Sequence, residues 1–104
     1  MQSKIRNIGV ITSGGDSPGM NACMRSVVRS ASVSNINIIG FYRGFEGLLN
    51  DDSVPLTNTS VANIIQLGGT ILKTARSLRF YDSEERKKAY LNLKKHKIDA
   101  LVVI

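Results

Sequence analysis

Apolar positions along this chain fall into two kinds of pattern, short continuous runs and helically spaced stripes. Residues 5–12 form an apolar run that reads as a buried strand. Over 18–33 the apolar residues Met20, Met24, Val27, Val28 and Ala31 recur at spacings of three and four, which predicts a helix with one buried face. A second strand is predicted over 36–41, where Ile36, Ile38, Ile39 and Phe41 are apolar. Gly40, Gly44 and Gly47 then punctuate a loop around Tyr42, Arg43, Phe45 and Glu46. Asp51-Asp52-Ser53 reads as a turn, and Val54-Pro55-Leu56 as at most a short edge strand, because proline has no N–H for a ladder. A short helix is predicted over 60–67, stopped by Gly68-Gly69, and a second loop over 70–79. Asp82, with Glu85 three positions on, predicts a capping box opening a helix to about residue 97, with Tyr90 and Leu93 facing inward. Lys94, Lys95 and Lys97 complement that helix's C-terminus, and His96 between them reads as a helix-end histidine. The last run, 98–104, is a strand apolar enough for the middle of a parallel sheet.

Strands alternating with helices imply right-handed βαβ crossovers. The fold class is therefore α/β, a Rossmann-like parallel sheet with helices on both faces, here a partial three-layer α/β/α arrangement. Ligands of such sheets bind beyond the carboxyl ends of the strands. The final strand stops at Ile104, so the residues expected at a site would follow it, and the reading is of part of a longer enzyme. A length of 104 residues suits one small domain. The single cysteine, Cys23, excludes an internal disulfide and a cysteine-rich zinc site, and its place on the first helix reads as a small core position. No charged–apolar–small leader opens the chain and no apolar run approaches a membrane span, which favours a soluble cytoplasmic protein without a membrane partner. The net charge of +6 points to anionic partners. Its basic residues are dispersed without aromatic interleaving, which argues against nucleic acid and leaves small phosphorylated ligands.

The chemistry-bearing stretch is Gly9-Val10-Ile11-Thr12-Ser13-Gly14-Gly15-Asp16-Ser17-Pro18-Gly19-Met20-Asn21. An apolar run stops at a Gly-Gly turn and a helix begins a few residues later. Free N–H groups at such a turn are aimed beyond the strand end, where a phosphate fits. Gly14 and Gly15 allow close approach, Ser17 suits the N-cap and Pro18 the first helical position. Neither common nucleotide fingerprint is present, so on these residues alone an ordinary strand–turn–helix connection stays open.

That run resembles the opening motif of 6-phosphofructokinases. Further matching stretches follow in order: Arg25-Ser-Val-Val-Arg29, Gly40-Phe-Tyr-Arg-Gly-Phe-Glu-Gly-Leu48, Gly68-Gly-Thr-Ile-Leu-Lys-Thr-Ala-Arg76 and Ile98-Asp-Ala-Leu-Val-Val-Ile104. The resemblance covers essentially the whole chain and corresponds to roughly the first third of a bacterial subunit. Residues 1–104 are thus identified as the N-terminal part of a nucleotide-binding domain. The resemblance implies transfer of a phosphoryl group from ATP to the 1-hydroxyl of fructose 6-phosphate, with magnesium (Mg2+). The family's catalytic aspartate, in a Thr-Ile-Asp-Asn-Asp motif, and its magnesium-linked Gly-Gly-Asp-Gly motif would lie beyond Ile104. The chain would carry half a nucleotide site and be inactive alone. A homotetramer is implied for the full-length enzyme.

Carried over position by position, Gly14 and Gly15 face the ATP phosphates and Arg76 reaches the transferred phosphoryl group. An arginine suits a reaction that needs positioning and charge neutralisation. Ser77 follows where the nucleotide site continues, often with an aromatic residue. Phe45 matches a position where an aromatic packs near the nucleotide, and anchoring onto the core is its other reading. Asp16 either orders the site loop or is a plain turn residue. Arg25 and Arg29, four apart, share a helix face and could grip a diphosphate. In bacterial members these positions, with those of Asn58, Ser60 and Asn63, form an effector site for ADP or phosphoenolpyruvate. Asn58 and Leu67 stand where those members commonly carry arginine. A pyrophosphate-dependent enzyme of the same family, a question raised by Lys73, and a free-standing nucleotide- or phosphometabolite-binding module are the competing readings.

Overall fold

The computed structural model of the chain describes residues 5–12, 19–62, 64, 70–74 and 82–104. In chain order it contains β1 (Asn7–Ile11), α1 (Met20–Val33), β2 (Asn37–Phe41), α2 (Phe45–Asn50), β3 (Ser53–Leu56), α3 (Ser83–Lys95) and β4 (Ala100–Val103). The strands form one sheet in the order β3-β2-β1-β4. β1 pairs in parallel with β2, Ile8 opposite Ile38, and with β4, Ile8 opposite Ala100. β3 runs antiparallel to β2, Gly40 opposite Val54, so the sheet is mixed. The connection before β3 closes on itself, Tyr42 N donating to Asp52 O at 2.9 Å. The chain therefore re-enters beside the strand it left, pointing the other way. Pro55 lies exposed on this edge strand, where its missing N–H costs nothing.

The two-residue period of the strands sorts the core into two groups. Val10 and Ile38 face α1 and pack with Met24, Val28 and Ala31, joined by Leu56, Val61, Ile64 and Leu72. Ile11 and Phe41 point to the opposite face and pack with Leu48 and Leu49 of α2 and Ala89 of α3. Helices thus cover both faces, as the α/β reading requires. Gly40 lies on the α1 face, where a Cβ would sit 2.8 Å from Leu72 and 3.0 Å from Leu56.

Several local expectations are corrected. α1 begins at Met20 with Gly19 as N-cap, not at Pro18. The first turn closes on Gly19, whose carbonyl accepts from Cys23 N at 3.0 Å. Ser17 and Pro18 themselves lie outside the described residues. Cys23 is exposed, off the buried stripe of α1. The glycine-punctuated loop contains α2, entered through Gly44 at φ 60°. Residues 60–62, expected as helix, lie in turns, and most of 63–69 falls outside the described residues. The Asp82 carboxylate caps α3 through Glu84 N at 2.9 Å, while Glu85 pairs with Lys88 instead of completing a capping box. Tyr90 is exposed, whereas Leu93 packs inward as expected. The inward face of α3 is taken by Ala89, Asn92 and His96. Asn92 Nδ2 donates to Leu48 O at 2.7 Å and Leu49 O at 3.2 Å, closing the carbonyl end of α2. β4, expected in the middle of a sheet, has β1 as its one neighbour among the described residues.

Candidate functional site

β1, β2 and β4 are parallel, so Ile11, Phe41 and Val103 bring three carboxyl ends to one edge of the sheet. From β1 the chain moves to β2 on one side, and β4 lies on the other. The strand order therefore reverses at β1, the place where open α/β sheets leave a crevice for a ligand. The Gly14–Gly15 turn follows β1 directly in sequence and itself lies outside the described residues, as do Asp16, Asn63, Leu67, Arg76 and Ser77.

The loop opposite β1 is held from underneath by buried polar side chains. Thr12, fully buried, donates its hydroxyl to Lys73 O at 2.8 Å and receives that of Thr70 at 3.3 Å. Leu72 N donates to the Thr70 hydroxyl at 3.3 Å. Asn21, also fully buried, accepts from Ile71 N at 2.8 Å and donates to Ile64 O at 3.2 Å. Arg43 N donates to Leu72 O at 2.8 Å, which joins the corner after β2 to the same loop. Phe45 starts α2 beyond that corner, half-buried against the core group of Ile11 and Phe41. It is anchored onto the core near the carboxyl ends of the strands.

Arg25 and Arg29 lie on α1, the first half-buried and the second exposed. Asn58 Nδ2 donates to Ser32 Oγ at 3.1 Å, and Ser32 is three residues past Arg29, on the same helix face. Ser60 and Thr57 tie the turn that carries Asn58 through hydroxyls 3.0 Å apart. This turn follows β3 at the amino end of β2, where Asn58, Ser32, Val28, Asn37 and Leu56 help line a cavity of about 720 Å³. Among the described residues, Phe45 beyond the carboxyl end of β2 and Asn58 at its amino end therefore lie at opposite ends of the sheet.

A further cluster sits where α2 meets α3. Asp51 receives Lys95 Nζ at 2.6 Å, and His96 Nε2 lies 2.6 Å from its other oxygen. The hydrogen bond from the Lys95 ammonium holds the Asp51 carboxyl below the usual carboxylate range, against an opposing push from burial, and His96 adds to the lowering. The His96 ring also meets Phe41 edge-on at 5.9 Å. At the amino end of β1, Asp99 Oδ2 accepts from Arg6 N at 2.7 Å and Asn7 N at 3.0 Å. These two N–H groups, Arg6 first, lower its pKa as well. Among the described residues no three His, Cys, Asp or Glu side chains gather to hold a metal ion.

Sequence reasoning assigned no role to the buried polar side chains Thr12, Asn21 and Thr70 that hold this loop. A signal for Asn21 existed: it lies in register with Met24, Val28 and Ala31, a polar side chain on an apolar stripe.

Comparison with known proteins bears on the same residues. A family model described as phosphofructokinase matches residues 7–104. A curated relative from Sulfurihydrogenibium sp., named ATP-dependent 6-phosphofructokinase, is 55% identical over 100 residues, which make up 96% of this chain and 31% of the relative. One from Bacteroides thetaiotaomicron, named ATP-dependent 6-phosphofructokinase 2, is 50% identical over the same shares. The chain thus spans about a third of the length of the curated relatives it matches. The solved structure of phosphofructokinase from Saccharomyces cerevisiae superposes with a TM-score of 0.90 at 43% identity, covering 94% of this chain and 13% of that one. The crystal structure of Pichia pastoris phosphofructokinase in the T-state gives 0.90 at 37% identity, covering 99% and 11%.

Proposed function

The chain belongs to the phosphofructokinase family, and from that premise we propose that it is the amino-terminal, donor-binding part of an ATP-dependent 6-phosphofructokinase. The complete enzyme moves the γ-phosphoryl group of ATP to the 1-hydroxyl of fructose 6-phosphate and releases ADP and fructose 1,6-bisphosphate. One observation carries the reading. β1 ends where the strand order reverses, and the next stretch of the sequence is the Gly14-Gly15 run that resembles the family's opening motif. The N–H groups of Gly14 and Gly15 hold the donor phosphates. Arg76 neutralises charge on the phosphoryl group in transit, with Ser77 beside it, and Phe45 borders the nucleotide. In this reading Mg2+ binds together with ATP, and Gly14, Gly15 and Arg76 act through N–H groups and guanidinium charge.

At the other end of the sheet, Arg25 and Arg29 hold a diphosphate or phosphoenolpyruvate effector against the wall formed by Asn58, Ser60 and Asn63. The Asn58–Ser32 bond, on the arginine face of α1, supports this second site. The complete enzyme is a homotetramer of the cytoplasm.

The test is ATP-dependent formation of fructose 1,6-bisphosphate by the native polypeptide that carries these residues. Turnover is expected, and Arg76→Ala should lower kcat by about a thousandfold, the scale on which an arginine supports phosphoryl transfer. The 104-residue chain alone should show none. A native mass of 11.4 kDa without turnover would replace the kinase with a binding module for phosphorylated metabolites. Turnover with pyrophosphate in place of ATP would overturn the donor assignment.

A further inference from the structure

The polar groups beneath the 70–74 loop are more than core residues with satisfied hydrogen bonds. Lys73 holds a left-handed backbone, φ 65°, while carrying a long exposed side chain. A side chain in that conformation is strained, and such strain persists only where the surroundings over-determine it. Here they do. The Lys73 carbonyl is held by the Thr12 hydroxyl, Leu72 N by Thr70, Leu72 O by Arg43 N and Ile71 N by Asn21. Three consecutive residues, 71–73, are pinned from three places, namely the residue after β1, the start of α1 and the corner after β2. The chain leaves this clip at Thr74, two residues before Arg76.

We propose that Thr12 is a positioning residue for phosphoryl transfer. Its hydroxyl, with Thr70 and Asn21, fixes the 70–74 loop, which leads in sequence to Arg76. The inference rests on the catalytic reading of Arg76 given above. Thr12 also stands two residues before Gly14 in the sequence. A misplacement of about 1 Å in such an arrangement costs up to about a hundredfold in rate. Ground-state binding of ATP through the glycine turn is affected far less.

The experiment compares Thr12→Val, Thr12→Ser and Arg76→Ala in the native polypeptide, with kcat expressed per folded molecule from the circular-dichroism signal. Thr12→Val should lower kcat between about tenfold and a hundredfold, with KM for ATP changed much less. Thr12→Ser, which keeps the hydroxyl, should recover most of the rate. If Arg76→Ala is impaired while Thr12→Val keeps its kcat and loses only melting temperature, Thr12 is structural and the proposal falls alone. If Arg76→Ala retains full kcat, the catalytic reading of Arg76 fails and takes this proposal with it. Should Thr12→Val fail to fold, Thr70→Val removes the outer hydroxyl alone and is judged by the same split between kcat and KM.

Discussion

Asp51 closes α2 in the left-handed conformation, φ 57°, and at that point collects a lysine and a histidine from the end of α3. Its carboxyl is held below the ordinary 3.8, chiefly by Lys95. A carboxylate whose pKa is lower folded than unfolded contributes stability above the unfolded value and loses it as pH falls through the folded one. Asp51→Asn keeps a residue that tolerates the left-handed region and removes only the charge. Urea unfolding of the two proteins should differ at pH 7, and the gap should close as pH drops below about 4. Asp99, lowered in the same direction, is present in both and cancels from the difference. A gap that stays constant from pH 7 to pH 3 would show that the carboxylate charge contributes nothing here.

α2 depends on a glycine more than on its apolar residues. A Cβ on Gly47 would lie 1.7 Å from the carbonyl oxygen of Tyr42, backbone that has no rotamer to yield. Gly47→Ala should destabilise the protein by at least about 3 kcal/mol, beyond the usual range for overpacking by one methyl. Denaturant unfolding with an unchanged midpoint would refute it. The same geometry explains what could be read from sequence and what could not. β1, α1, β2 and β4 announce themselves through their periods, and Pro55 marks β3 as an edge. α2 spans six residues, too short for a helical period to stand out, and it exists because the 42–52 corner folds back on itself. The inward face of α3 misleads for another reason. Asn92 and His96 occupy it to bind α2, so apolar Tyr90 and Leu91 are left outside. Of the residues proposed for the donor site, Gly14, Gly15 and Arg76 stand out by their resemblance to the family's stretches. The buried clip does not, because Thr12 finds its carbonyl partner 61 residues away and Asn21 its amide partner 50 away, pairings that no local pattern records.

At the scale of the whole molecule, the described residues leave apolar surface uncovered. Beside α1 runs a groove of about 410 Å³ lined by Ile8, Val27, Ala31 and Ile36 with Ser26 and Ser30, and Val33 next to it is 86% exposed. β4 offers a strand edge with Val103 half-exposed. Unpaired strand edges and contiguous apolar grooves favour association. Sedimentation velocity of the 104-residue chain should therefore show reversible self-association that grows with concentration. A single monomer boundary at every concentration would contradict this. The parallel pairing of β1 with β4 has a consequence in time as well as in space. Asp99 seals the start of β1 from 93 residues away, so the central strand needs residues that far along the chain before its second edge is satisfied. Contacts of such long range close late. At about 5–20 residues per second of synthesis, the first strand waits on the order of 5–20 s on the ribosome with that edge bare. The pace of translation thus sets how long a newborn chain is open to pairing with a neighbour instead of with itself.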